Sequence, residues 1–239
     1  MDFWTQALRQ AWELIIYGDL NQIIWVTIKV AAISTAIAAV LGLPISVALG
    51  IGRFRGRGAA LSIANAGLGL PPVIVGLVFV LLTLPAHGPF ASLHLLFTLR
   101  GVYVVQTVLA LPIVIALGAS AIGSLPSGLI DQARAFGASR PRLAVLALRE
   151  ARVGVLAALI AAVGSALSEV GAVTLAGGNI DGLDQTLASA ALSRVDAGRF
   201  VDGLAIGIVL LGLILLVSAF LTVLQHQGSG AARWRRERR

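Results

Sequence analysis

Few residues in this 239-residue chain have both the type and the company to do chemistry. Ser120 stands in Gly118-Ala119-Ser120-Ala121, a setting that can expose a nucleophile, but a serine needs a base to activate it. The three histidines, His87, His94 and His226, fall outside the long apolar runs and share no metal-ligand spacing. Without cysteine there is neither a disulfide framework nor a thiolate metal site. Lys29, the only lysine, follows Thr27-Ile28 with no Gly-x4-Gly before it, so no phosphate-cradling loop is present. Two features remain. Glu169 is a carboxylate inside an apolar run, where an ionisable group is costly and faces a bundle interior or water. Asp131-Gln132-Ala133-Arg134-Ala135-Phe136-Gly137-Ala138-Ser139, with the arginines that follow as far as Arg152, is a basic segment between two long apolar ones. Neither is a catalytic constellation. The chain reads as a non-enzyme with no cofactor or metal site of its own.

The elements that must position these residues belong to a membrane. With 58% apolar and 12% charged residues, the composition lies outside the soluble globular range. The expected fold is all-α and polytopic, with spans near Ile23–Ile51, Ala59–Leu84, Val102–Gly123, Gly154–Ala176 and Val201–Leu224. Pro71-Pro72 should kink the second span about midway. The net charge of +7 would suggest nucleic acid in a soluble chain, but here it follows topology. Thirteen arginines fall in Gly52–Gly58, the loop before the fourth span and the tail; only Arg9, Arg100, Arg194 and Arg199 fall in the alternate set. The positive-inside rule then predicts an outer N-terminus and a cytoplasmic C-terminus. Residues 1–225 are expected to form a single transmembrane domain, with 226–239 a basic cytoplasmic tail. Residues 1–18 do not read as a signal peptide. Trp4, Leu8, Trp12 and Ile15 recur at helical spacing opposite Asp2, Gln6, Arg9 and Glu13, which predicts an interfacial amphipathic helix. Lys29 is expected to snorkel to the outer interface.

The loop at 126–150 is built to be stiff. Ser127 can cap a helix and Asp131 should complement the dipole in its first turn. The spacing predicts a helix over Asp131–Phe136 that stops at a left-handed Gly137. Ser139 and Pro141 mark the start of a second helix. An ordered loop between spans reads as an interaction surface, with Phe136 as an anchor and Arg134 as an ion-pair partner. Along the fourth span, Ala162, Ser165, Ala166, Glu169, Ala172 and Ala176 recur at i+3/i+4 spacing. Such a stripe permits close helix approach and equally can line a path, with Glu169 as a structural or gating hydrogen-bond acceptor. Gly171, Gly177, Gly178 and Asn179 then either stop that helix or offer amides that, with Arg194 and Arg199, guide an anion.

The order acidic-x-Ala-x3-Gly-Ala-Ser at 131–139 resembles the coupling loop of binding-protein-dependent ABC importer permeases, whose pattern is Glu-Ala-Ala-x3-Gly followed by Ile-x-Leu-Pro. Leu148-Arg149-Glu150-Ala151-Arg152 stands where Leu-Pro-x-Ala-Arg is common, so the proline that marks a bend at the start of the fourth span is missing. Ser168-Glu169-Val170-Gly171-Ala172 and Gly177-Gly178-Asn179-Ile180 resemble the oxyanion branch of that family, tungstate-uptake permeases most, with molybdate and sulfate relatives behind. The resemblance covers about residues 20–225. It implies a type I permease core whose segment from Asp131 to Ser139 docks on an ATPase, with Ser165, Glu169, Gly171, Ala172, Gly177, Gly178 and Asn179 along the path or gate. It also implies a homodimer, two ATP-binding subunits that carry ATP and Mg, and an external binding protein, in the cell inner (plasma) membrane. Against an ion-coupled secondary transporter stand five spans with no internal repeat and only one buried carboxylate.

Overall fold

A computed structural model describes residues 3–17 and 20–236, with side chains throughout except at Phe3, Tyr17, Ser127 and residues 226–236. Asp2 of the expected polar face, the Ser127 hydroxyl, the side chain of His226 and those of the tail arginines therefore lie outside the described residues. Every regular element among the described residues is helical. Three helices are long and apolar enough to cross a bilayer alone: α2 (Leu20–Ile51), α5 (Leu99–Gly123) and the Phe200–Gln225 part of α11 (Phe200–Arg236). Two bent pairs, α3 (Arg57–Gly67) with α4 (Pro72–Thr83) and α7 (Arg140–Glu150) with α8 (Arg152–Ser168), bring the number to five if each is one span. α2 is about 48 Å long at about 1.5 Å per residue, well beyond a hydrocarbon core of about 30 Å.

The chain divides into two compact units, each discontinuous in sequence: Met1–Thr35, Leu70–Leu109 and Val163–Leu216, then Ala36–Gly69, Ala110–Ala162 and Val217–Arg239. In the first unit, α1 (Phe3–Tyr17) buries the small Ala7 and Ala11 and leaves Trp4, Leu8, Trp12 and Ile15 exposed. That is the face expected to meet the interface. Leu14 packs on a core of Leu20, Ile23, Leu187, Ala190 and Ile206 that joins α2, α10 (Leu187–Asp196) and α11. Val26 and Val30 of α2 meet Val102 and Val173, while Lys29 lies with its ammonium 5.8 Å from the Trp25 ring centroid.

The second unit shows why α2 and α5 lie so close. Ala38, Gly42, Ser46 and Gly50 recur every fourth residue on one helix; Ala110, Val114, Gly118 and Ile122 do so on the other. Ala38, Ala110 and Val114 share one core, and the Ser46 hydroxyl donates to Gly42 O at 2.9 Å and reaches Val114 O at 3.0 Å. Small residues on one ridge let the backbones approach, and a bonded hydroxyl tolerates burial in such a seam.

The expected break in the second span falls at Leu68–Pro71. Pro71 is extended and caps α4, and its carbonyl accepts from the amides of Ile74 and Val75. The fourth span departs from expectation in two ways. It bends by 75° at Ala151, between α7 and α8, although no proline is there. Ala151 closes α7 with its amide on Ala147 O, while its buried methyl packs with Val47, Ile122, Leu143 and Val155. Packing makes the turn that proline makes elsewhere. The span is also not continuous to Ala176: α8 stops at Ser168, and a separate short α9 (Gly171–Gly177) follows.

Candidate functional site

α6 (Ser127–Ala135) begins four residues earlier than the spacing predicts, because Pro126 caps it and Ser127 is already helical. Asp131 therefore sits beyond the first turn and does not complement the dipole there. Its two oxygens instead face Arg53 Nη2 at 3.0 Å and Arg134 Nη1 at 3.6 Å. Arg134, expected to pair with a partner, thus already has a carboxylate on its own helix.

The helix ends as predicted. Gly137 has φ of +78°, its amide donates to Arg134 O at 2.9 Å, and the Ala138 amide donates to Ala133 O at 3.0 Å. This pair of bonds satisfies carbonyls that the helix end would otherwise leave free. Ala133 and Ala138 turn inward onto a core of Ile122, Ile130, Leu143 and Ala147, where each large aliphatic side chain contributes about 1.5–3 kcal/mol. Ser139 caps α7 in extended conformation, without a side-chain bond, and Pro141 stands in its first turn. With the inner face anchored, Asp131, Gln132, Arg134, Ala135, Phe136, Gly137 and Ser139 remain exposed. Phe136 is 91% exposed. The phenyl ring thus stands free at the tip of a turn held by the Gly137 and Ala138 amides.

Glu169 lies in the break between α8 and α9. It is half-buried, and its Oε1 accepts the Ala172 amide at 3.1 Å, which caps the short helix. The stripe expected along a continuous span is split by this break. Ala162, Ala166, Ala172 and Ala176 are buried packing residues, whereas Ser165 is exposed and Gly171 half-buried. Ala172 and Ala176 pack with Phe79 and Val105, and Gln106 Nε2 donates to Ala166 O at 3.3 Å.

The Gly177-Gly178-Asn179 segment stops the helix. Gly178 and Asn179 are both left-handed, and Asn179 Nδ2 donates to Ser193 Oγ at 2.5 Å. Gly177 is required by close approach: a Cβ there would lie 2.7 Å from Asp184 Oδ2. Part of the set expected to guide an anion is already bonded. The Gly178 amide donates to Thr174 O and the Ile180 amide to Asp184 Oδ1 at 2.6 Å, while Arg199 is ion-paired with Asp202.

Asp184 and Gln106 are what sequence reasoning missed. Asp184 sits in Asp181-Gly182-Leu183-Asp184, which looks like an ordinary exposed turn, yet it is fully buried. Burial pushes its carboxyl above the usual aspartate range, and the Ile180 amide partly offsets this. A raised carboxyl pKa in the folded state makes stability fall as pH rises from the unfolded value toward the folded one. Asp184→Asn keeps an acceptor for Ile180 without the charge. Its melting temperature should equal or exceed the parent's at pH 8, with the advantage lost at pH 4. Asp184→Leu removes the acceptor and should cost about 1–3 kcal/mol at both. Thermal unfolding of the detergent-solubilised chain measures both.

Residues 42–227 match the family described as the binding-protein-dependent transport system inner membrane component. The chain belongs to that family. This permease is 42% identical over 212 residues to a probable anion ABC transporter permease protein of Haloferax volcanii, covering 84% of the permease and 91% of the relative. It is 28% identical over 229 residues to the tungstate uptake system permease protein TupB of Peptoclostridium acidaminophilum, covering 95% and 100%. Its fold is that of the inward-facing MetNI methionine ABC transporter, with a TM-score of 0.71 at 22% identity over 87% of the permease and 95% of that chain. The permease is thus a multi-pass inner-membrane component of the ABC importer class, a transport subunit like its relatives. The branch suggested by Glu169-Val170-Gly171-Ala172 agrees with the relatives named for anion and tungstate uptake.

Proposed function

We propose that this permease forms the translocation path of an ATP-driven importer for an oxyanion, tungstate first, with molybdate, sulfate or another small solute as alternatives. The observation that carries the reading is the tip of α6: a phenyl ring 91% exposed on a helix whose end is locked by Gly137 and whose inner face is packed. The segment from Asp131 to Ser139 docks on a separate ATPase, which supplies ATP and Mg. Two copies related by a two-fold axis enclose the path, since five spans alone enclose little, and present two such tips to two ATPases. An external binding protein delivers the anion. The arginine asymmetry supports an outer N-terminus and a cytoplasmic α6. Closure of the ATPase pair draws the α6 tips together and opens the outer gate. Ser165, Glu169 and Gly171 are the path-facing members of the predicted set, whereas Ala172 and Gly177 act through packing and Gly178 and Asn179 through the turn. Substrate preference is supported by the names of the relatives.

Proteoliposomes that hold the permease, its ATPase and its loaded binding protein should take up tungstate only with ATP. Excess molybdate or sulfate should compete less well than unlabelled tungstate. Uptake that persists when the ATPase is left out would sink the reading in favour of an ion-coupled secondary transporter.

A further inference from the structure

Three of the arginines that orient the chain converge on a cavity beside α6. It has a volume of about 240 Å³ and is lined by the end of α2, the start of α3, the end of α5 and the inner side of α6. Its charged lining is Arg53, Arg57, Arg134 and one carboxylate, Asp131. Asp131 takes Arg53 on one oxygen and Arg134 on the other. Arg57 is held differently: its Nε donates to the Leu49 carbonyl at 2.6 Å, near the end of α2, which leaves its two terminal nitrogens for other acceptors. Three guanidiniums against one carboxylate leave the cavity with a surplus of two positive charges. The backbone does not cancel this surplus. α2 and α5 end at the cavity while α3 and α6 begin there, so two negative and two positive helix ends roughly offset each other.

The geometry points to an anion site in this cavity, for a phosphate-like tetrahedral oxyanion that Arg57 and Arg53 hold through charge-assisted, fork-like hydrogen bonds. That chemistry has two sources, a free oxyanion or the phosphate of an anionic lipid at the same membrane face. Either would compete with Asp131 for Arg53 and Arg134. Occupancy would loosen the ties that hold α6 to the Gly52–Gly58 linker, and so bias the tip that carries Phe136. The site itself stands on the cavity and its charges; only this last consequence rests on α6 being the coupling helix.

The test uses the full chain. Calorimetric titration in non-ionic detergent with inorganic phosphate and with tungstate reads the free-anion arm. Native mass spectrometry after release from phosphatidylglycerol nanodiscs reads the lipid arm. Arg57→Gln should weaken the productive arm by about tenfold or more, as loss of a charge-assisted pair implies. Asp131→Asn, which removes the competing carboxylate, should strengthen it. An opposite pair of shifts separates the site from general misfolding, and Arg57→Lys, which keeps the charge, should fall between parent and Arg57→Gln. Saturable phosphate or tungstate binding with these shifts identifies a free-anion site. Phosphatidylglycerol retention with these shifts, and no free-anion binding, identifies a headgroup site. If neither ligand is held, or if Arg57→Gln and Asp131→Asn leave both arms unchanged, the arginines serve only Asp131 and Leu49, and the proposal is overturned. None of these readouts needs the ATPase, so failure of the transport reading would leave the result standing.

Discussion

Gly137→Val is expected to abolish the stimulation of the partner ATPase by loaded binding protein while the permease still inserts and remains folded. Gly137 has φ of +78°, and a Cβ built there meets nothing within 4 Å. The penalty is therefore conformational and not steric. A left-handed backbone costs an L-residue about 1–2 kcal/mol, and a β-branched one more. Valine would relieve that strain by undoing the turn, which frees the Arg134 and Ala133 carbonyls and swings the tip away from the packed core. A substitution series separates this account from any other. Gly137→Asn, which tolerates the left-handed region, should retain most of the stimulation; Gly137→Ala should be intermediate; Gly137→Val should lie at the basal rate. ATPase activity of the reconstituted complex, measured beside the monodispersity of each variant, decides the matter. If Gly137→Val matches the parent, the turn at Gly137 does not transmit force.

Phe136→Ala should show the second large effect, and on docking alone. A side chain 91% exposed contributes almost nothing to the stability of the isolated chain, so its truncation should leave the melting temperature of the free permease within about 2 °C, since surface changes stay within about 0.5 kcal/mol. A buried aromatic anchor at an interface is worth about 2 kcal/mol or more, equivalent to roughly thirtyfold in affinity. Co-purification of the ATPase and the concentration needed for half-maximal ATPase stimulation should both shift by that order. Phe136→Leu should recover part of the loss, because the pocket rewards apolar volume. Unchanged affinity in Phe136→Ala would place the docking surface elsewhere on the exposed face.

How much was legible differs between the two regions for a physical reason. Turn chemistry is local, so Gly137, Pro141 and Pro71-Pro72 could be placed from their own preferences and their neighbours. The α6 start was misplaced because the helix was expected only from Asp131, whereas Pro126, with its fixed φ, opens it a full turn earlier. Asp131 was assigned to a helix dipole by local reasoning, and its partner Arg53 lies 78 residues away. No local rule can join them. At Glu169 the i+3/i+4 stripe of small residues was read as one continuous face, because small residues carry no signal against a break. Packing of Ala172 and Ala176 under Phe79 decides the short α9 instead.

The composition, the apolar run lengths and the turn residues around Gly137 were enough by themselves to make this chain a polytopic membrane protein with an ordered, basic loop between spans, and the resemblance at Asp131-x-Ala133-x3-Gly137 pointed to its family. Those properties depend on transfer free energies and on backbone preferences that each short segment carries wherever it sits. Only the tertiary structure decided that a bend forms at Ala151 without proline, that Asp184 is buried against Gly177, and that Arg53, Arg57 and Arg134 share one cavity with Asp131. Each of these depends on which distant side chain fills the space beside it, and burial, not local preference, sets the cost of every alternative.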